Sequence, residues 1–314
     1  MIYDIDGNVL CDCGDGGSYT DAECTNAFLA YMAQKCTGYG MSGTHYASPS
    51  GLTEDSYSTP QDGLKLGVAV TSYPKALGIW STPSRSFSIK GDHARTMSIT
   101  NNVINGVATD LNASYKFLGG KGGSLIYSQY HRAQILLVEV EGKPVVLSLM
   151  ALGQTPFNNI YKSAKELADM VKASMDGQTP TAGANLTALV NGSGGYAACV
   201  VPNVSGGYAN LETPAELLAR ENSISASPAV SRYPASTSKT MTMLCALDFI
   251  TNIHESVAVK SADISDGSGS AFYDGDVLTM DSALRIMMME SSNTMANTIA
   301  RVIGRKILAS GGVS

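Results

Sequence analysis

Charge is scarce in this chain. Only 15% of its 314 residues are Asp, Glu, Lys or Arg, against 44% apolar residues. That balance excludes a disordered polyelectrolyte, which carries high charge and few core-forming residues. Net charge is −6 and no Lys/Arg run is dense enough to follow a phosphate backbone, so nucleic acid is not an expected partner. No apolar run approaches the ~20 residues of a membrane-spanning helix. The opening "MIYDIDGNVL" has neither a basic start nor an apolar stretch, so no secretory signal is read there. His45, His93, His131 and His254 are scattered without ligand spacing, and neither metal nor another cofactor is expected. G-x-S-x-G and Walker patterns are also missing.

Glycine, by contrast, is abundant at 32 residues, which implies many turns and close backbone contacts. Of six cysteines, Cys11, Cys13, Cys24 and Cys36 cluster near the start. The cluster is compatible with disulfides or with free thiols; its spacing is not a familiar zinc pattern. Cys199 stands alone, and Cys245 reads as core filling.

Residues 1–20 read as an extension or short hairpin. A helix capped by Thr20 is predicted over 20–36 and another over 61–70. Short strand-like pieces fill 81–118. Residues 133–140 and 144–152 alternate as a long hairpin about Glu141-Gly142-Lys143. Ile160, Ala164, Leu167, Val171 and Met175 recur at helical spacing within 159–175. A linker follows over 176–187, then a strand within 194–203. Three further helices are expected at about 236–250, at 279–292 with Thr279 as cap, and at 293–308.

Ser236 and Lys239 form a Ser-x-x-Lys pair at the start of a helix, just after Pro234. Residues i and i+3 share a helix face, so a neutral lysine amine there can take the serine proton. That lysine must be kept neutral by burial or by a neighbouring cation. In isolation the pattern is weak, and a helix cap explains Ser236 equally well. A second copy, Ser72 to Lys75, contains Pro74 and is set aside as a poor helix interior. Ser291-Ser292-Asn293 lies between two helices, where Ser291 and Asn293 can both project into a cleft or merely cap. "GGKGGS" (119–124) precedes the hairpin and is either a plain turn or a bare strand edge open to a peptide, with Lys121 beside it.

Taken together, these three segments resemble the Ser-x-x-Lys, Ser-x-Asn and Lys-Thr-Gly motifs of the penicillin-binding D-alanyl-D-alanine carboxypeptidases, a serine β-lactamase-like family. "YPASTSKTMTMLCAL" is similar to the nucleophile helix of that family, and "GSGSAFYDGDVLTMDSALRIMMMESSNTMANTIA" to its Ser-x-Asn stretch. "AFLAYMAQKCTGYGMSGTHYASPSGL" and "FLGGKGGSLI…AQILLVEVEGKPVVLSLMAL" resemble two further segments, so the likeness covers most of 22–308. The resemblance implies an α+β fold, an antiparallel sheet flanked by helices plus a mainly helical lobe. A single catalytic domain is expected over 21–314, its α/β lobe about 106–250 and its helical lobe about 21–105 plus 251–314.

The order of motifs differs from the family's. The third motif comes first, which implies a circular permutant or a fragment of a tandem array. As a permutant, its ends would lie between "RVIGRKIL" and "TNAFLAYM". The middle Thr of the third motif is Gly122 here.

The resemblance implies Ser236 as nucleophile, Lys239 as base, Ser291 as proton relay, Asn293 on the acyl side and Lys121 as a cation. Gly122, Gly123 and Ser124 would line the substrate, with the N–H groups of Ser236 and Ser124 as oxyanion donors. Implied partners are peptidoglycan stem peptides and β-lactams, in an extracytoplasmic setting. Two other readings remain at this point: a cell-wall-binding module whose turnover is lost with the Thr, and a related serine esterase or β-lactamase.

Overall fold

The computed structural model describes residues 2–3, 9–11, 19–107, 111–125, 131–152, 157–202 and 212–312. Strands β1 (Ile2–Tyr3) and β2 (Val9–Cys11) pair antiparallel. Thr20 then opens α1 (Asp21–Gly38) through a capping box: its hydroxyl accepts from the Glu23 N–H while the Glu23 carboxylate returns to the Thr20 N–H. Thr59 and Pro60 start α2 (Pro60–Thr71) in the same spirit, a hydroxyl cap followed by proline in the first turn. Next come α3 (Pro74–Trp80), the hairpin β3 (Ser84–Ile89) and β4 (Arg95–Thr100), and the short α4 (Asn102–Val107).

The main sheet follows. Strands β5 (Lys116–Leu125), β6 (His131–Val140) and β7 (Lys143–Ala151) precede α5 (Phe157–Met175) and α6 (Ala184–Asn191). Then come β8 (Gly195–Val200), α7 (Pro214–Leu218) and β9 (Ile224–Ala226). The five strands stand in sequence order β5-β6-β7-β8-β9, all antiparallel, with β5 on an edge. The expected linker 176–187 is shorter than the sequence suggests. α6 starts at Ala184, where Leu186 and Leu189 supply enough apolar surface to dock.

The remaining chain gives α8 (Ser238–Phe249), the hairpin β10 (Ser256–Ala258) and β11 (Val277–Thr279), α9 (Met280–Met289) and α10 (Asn293–Ala309). Thr279 caps α9, accepting from Ser282 N–H as its position implied. This is an α+β architecture with an antiparallel sheet flanked by helices.

Side chains alternate across each strand, so the sheet feeds two cores. Leu136, Val138, Val145, Leu147 and Ala198 face α5 and α6. Ile135, Leu137, Val146, Ala197 and Cys199 face the other way, into a larger core with α1, α2, α3, α8, α9 and α10. That larger core crosses the lobe boundaries drawn from sequence: α2 lies on the sheet, and α8 packs with α1, α9 and α10.

α1 and α10 lie side by side, and Gly304 sets their separation. A Cβ there would stand 1.8 Å from the Cys24 carbonyl oxygen. Cys24 and Cys36 are buried free thiols on one helix, twelve residues and therefore ~18 Å apart, too far to pair with each other. Cys13 and the Cys11 side chain lie outside the described residues. No helix among the described residues is long and apolar enough to cross a membrane.

Candidate active site

The turn that carries Ser236 is not α-helical. Ala235–Thr237 forms a 3-10 turn, closed by the Thr237 hydroxyl donating to the Pro234 carbonyl at 2.6 Å, and α8 begins at Ser238. Ala235 sits at φ +46°, a left-handed conformation that L-residues other than glycine, Asn and Asp rarely adopt. The sequence suggests a helix starting at about Ser236, two residues before α8 begins. Even so, the 3-10 turn leads directly into α8 and keeps Ser236 over Lys239, with Nζ 2.9 Å from Oγ.

Lys239 is fully buried, and its Nζ meets three groups from three parts of the chain. Besides Ser236 Oγ, these are the Ser50 carbonyl oxygen at 2.7 Å and Asn293 Oδ1 at 2.8 Å. The Asn293 amide is oriented by its own Nδ2, which donates to the Asp266 carbonyl at 2.8 Å. Burial first, and then the charge of Lys121, hold the Lys239 amine well below the usual lysine range. Nζ donates to all three oxygens; when the amine is neutral, its lone pair is free to take the Ser236 hydroxyl proton. Ser50 carries no motif, and only the polar character of 44–60 marked its loop.

Lys121 comes from the edge strand. It is 2% exposed, and its Nζ donates to Ser291 Oγ at 3.1 Å and to the Gly122 carbonyl at 2.5 Å. Burial brings its pKa down to about 7. Ser291 occupies the junction of α9 and α10 at φ +67°, a conformation that turns the chain between the helices. Ser292 caps α10 by accepting from Met295 N–H. The Ser-x-Asn segment thus caps a helix with its middle residue and presents its outer two to the lysines.

"GGKGGS" is strand rather than turn, paired with β6 in the register Lys121↔Ile135, Gly122↔Gln134, Gly123↔Ala133 and Ser124↔Arg132. Gly123 lies against the Ser236 turn: a Cβ there would be 2.7 Å from Ser236 N and 2.9 Å from Thr237 N. The absence of a side chain lets the β5 backbone approach the start of α8, where helix N–H groups favour developing negative charge. Ser124 is exposed along the same edge.

A cavity of about 260 Å³ joins these groups. Ser236, Lys121, Ser291 and the β5 glycines line it, and so do residues that no motif announced: Gln134, Arg132, Tyr161 and Glu290. Lys239 is hydrogen-bonded to the lining Ser236, and Asn293 to Lys239. The second Ser-x-x-Lys copy plays no part, because Ser72 ends α2 and Pro74 starts α3. No group of metal-ligating side chains is found among the described residues.

No family model matches this chain, and neither curated proteins nor solved structures give a match.

Proposed function

We propose that the protein is a serine D,D-carboxypeptidase-like hydrolase of the penicillin-binding type, with that family's fold in permuted chain order. Its substrates are stem peptides of peptidoglycan ending in D-alanyl-D-alanine, which puts its work outside the cytoplasm. One observation carries the reading: the Lys239 amine lies between Ser236 Oγ and Asn293 Oδ1.

In this reading Ser236 Oγ attacks the carbonyl between the two D-alanines and its proton passes to Lys239 Nζ. The oxyanion forms beside the N–H groups of Ser236 and Ser124, where loss of one donor costs about 3 kcal/mol of barrier. The C–N bond then breaks as Ser291 gives its hydroxyl proton to the departing amine and takes in its place the proton held by Lys239. The acyl chain stays on Ser236 as an ester. Water cleaves that ester and regenerates the hydroxyl. Lys121 supports both ends of the sequence: its charge disfavours a protonated Lys239 and attracts the substrate carboxylate.

A second reading follows from Gly122, which stands where the resemblance implies a carboxylate-binding Thr. A module that holds cell-wall peptides without releasing D-alanine would keep the same pocket. Intact-mass measurement after exposure to benzylpenicillin tests the first reading. An adduct of one penicillin on the wild type and none on Ser236→Ala is expected, and an unmodified wild type rejects the acyl-enzyme route.

A further inference from the structure

The cavity does not stop at the reacting serine. It continues past the β5 edge to the α5 side of the sheet, and the reason lies at Gly122. A Cβ built there meets only Val103 Cγ2, at 3.7 Å, so the strand leaves a recess where most residues would put a side chain. Directly across the ladder stands Gln134. It is 3% exposed, forms part of the cavity wall, and its Oε1 has no hydrogen-bond partner among the described residues. A buried amide oxygen left unpaired is costly, and a ligand that donates to it recovers that cost. Gly122 also adjoins Lys121, which holds Ser291.

We propose that the recess between Gly122 and Gln134 receives the side chain of the leaving residue, and that it selects one ending in a hydrogen-bond donor over the methyl of D-alanine. The matching substrate class is an N-acyl-D-alanyl-D-residue whose last side chain carries a hydroxyl or carboxamide, as in D-serine or D-asparagine. Gln134 acts by accepting that donor, and Gly122 by leaving it room. The proposal rests on the reading above only in taking Ser291 as the leaving side of the bond.

Calorimetric binding to Ser236→Ala protein separates the two, because it needs no turnover. The probes are diacetyl-L-lysyl-D-alanyl-D-Xaa peptides, with Xaa alanine, serine or asparagine. One recovered hydrogen bond corresponds to about fivefold tighter binding of the serine or asparagine peptide. Adding Gln134→Leu should remove the preference for the serine and asparagine peptides over the alanine peptide. Adding Gly122→Thr, which has space for its Cβ, should weaken the asparagine peptide selectively. Equal affinities, a preference that survives Gln134→Leu, or no binding of any peptide overturns the proposal. Penicillin acylation of the wild type is read separately: an adduct with equal peptide affinities removes this subsite and leaves the hydrolase reading intact.

Discussion

Two buried lysines that share one region of space set the chemistry at the residue scale. Lys121 and Lys239 are both buried, and neither has a carboxylate partner among the described residues. The sign of the resulting pH effect follows from Lys121, whose pKa falls from 10.5 to about 7 on folding. Between those values the unfolded chain holds a proton that the folded chain has released. Stability therefore rises with pH across that window. Lys121→Met should stabilise the fold by about 1–4 kcal/mol near pH 7 and by less near pH 10, as read from urea unfolding at both pH values. The same variant should acylate with penicillin at least ~100-fold more slowly.

The Ser-x-x-Lys spacing and the likeness of the flanking segments made this pair legible before any coordinates. Ser50 and Gln134 were not legible: a backbone carbonyl and a lone Gln leave no pattern in a sequence. The three-residue 3-10 turn at Ser236 is equally silent, because no sequence periodicity separates it from the first turn of α8.

Elements were read well where periodicity or capping is local. The Thr20 and Thr279 caps, the 131–151 hairpin and the amphipathic α5 all follow from short-range rules. α6 was missed because Gly, Thr and Pro before it suggested a linker, and its apolar stripe is too short to outweigh them. Helix pairing was another matter. Nothing local announces that Gly304 abuts the Cys24 carbonyl, yet that contact fixes how closely α1 and α10 approach. Gly304→Ala must push the helices apart or bend one of them. A loss of about 1–3 kcal/mol is expected, with a lower thermal midpoint and little change in the helical circular dichroism of the folded protein.

The larger core decides how the whole molecule behaves. It runs without a break from the inner face of the sheet through the helices on that side. The smaller core behind the sheet shares the same strands. Because both cores are built on the same strands, unfolding should be a single transition despite the chain's length. Near-ultraviolet and far-ultraviolet signals should coincide in urea, and two separated midpoints would reveal independently stable lobes.

The amine of Lys239 touches a loop near residue 50, a turn at 236 and a helix start at 293. These stretches are strangers along the polymer and become neighbours only when the last of them has docked. On the proposed reading, a half-assembled molecule therefore carries an ordinary alcohol at Ser236, not yet paired with its amine. In the proposed hydrolase, reactivity is thereby tied to the completed fold.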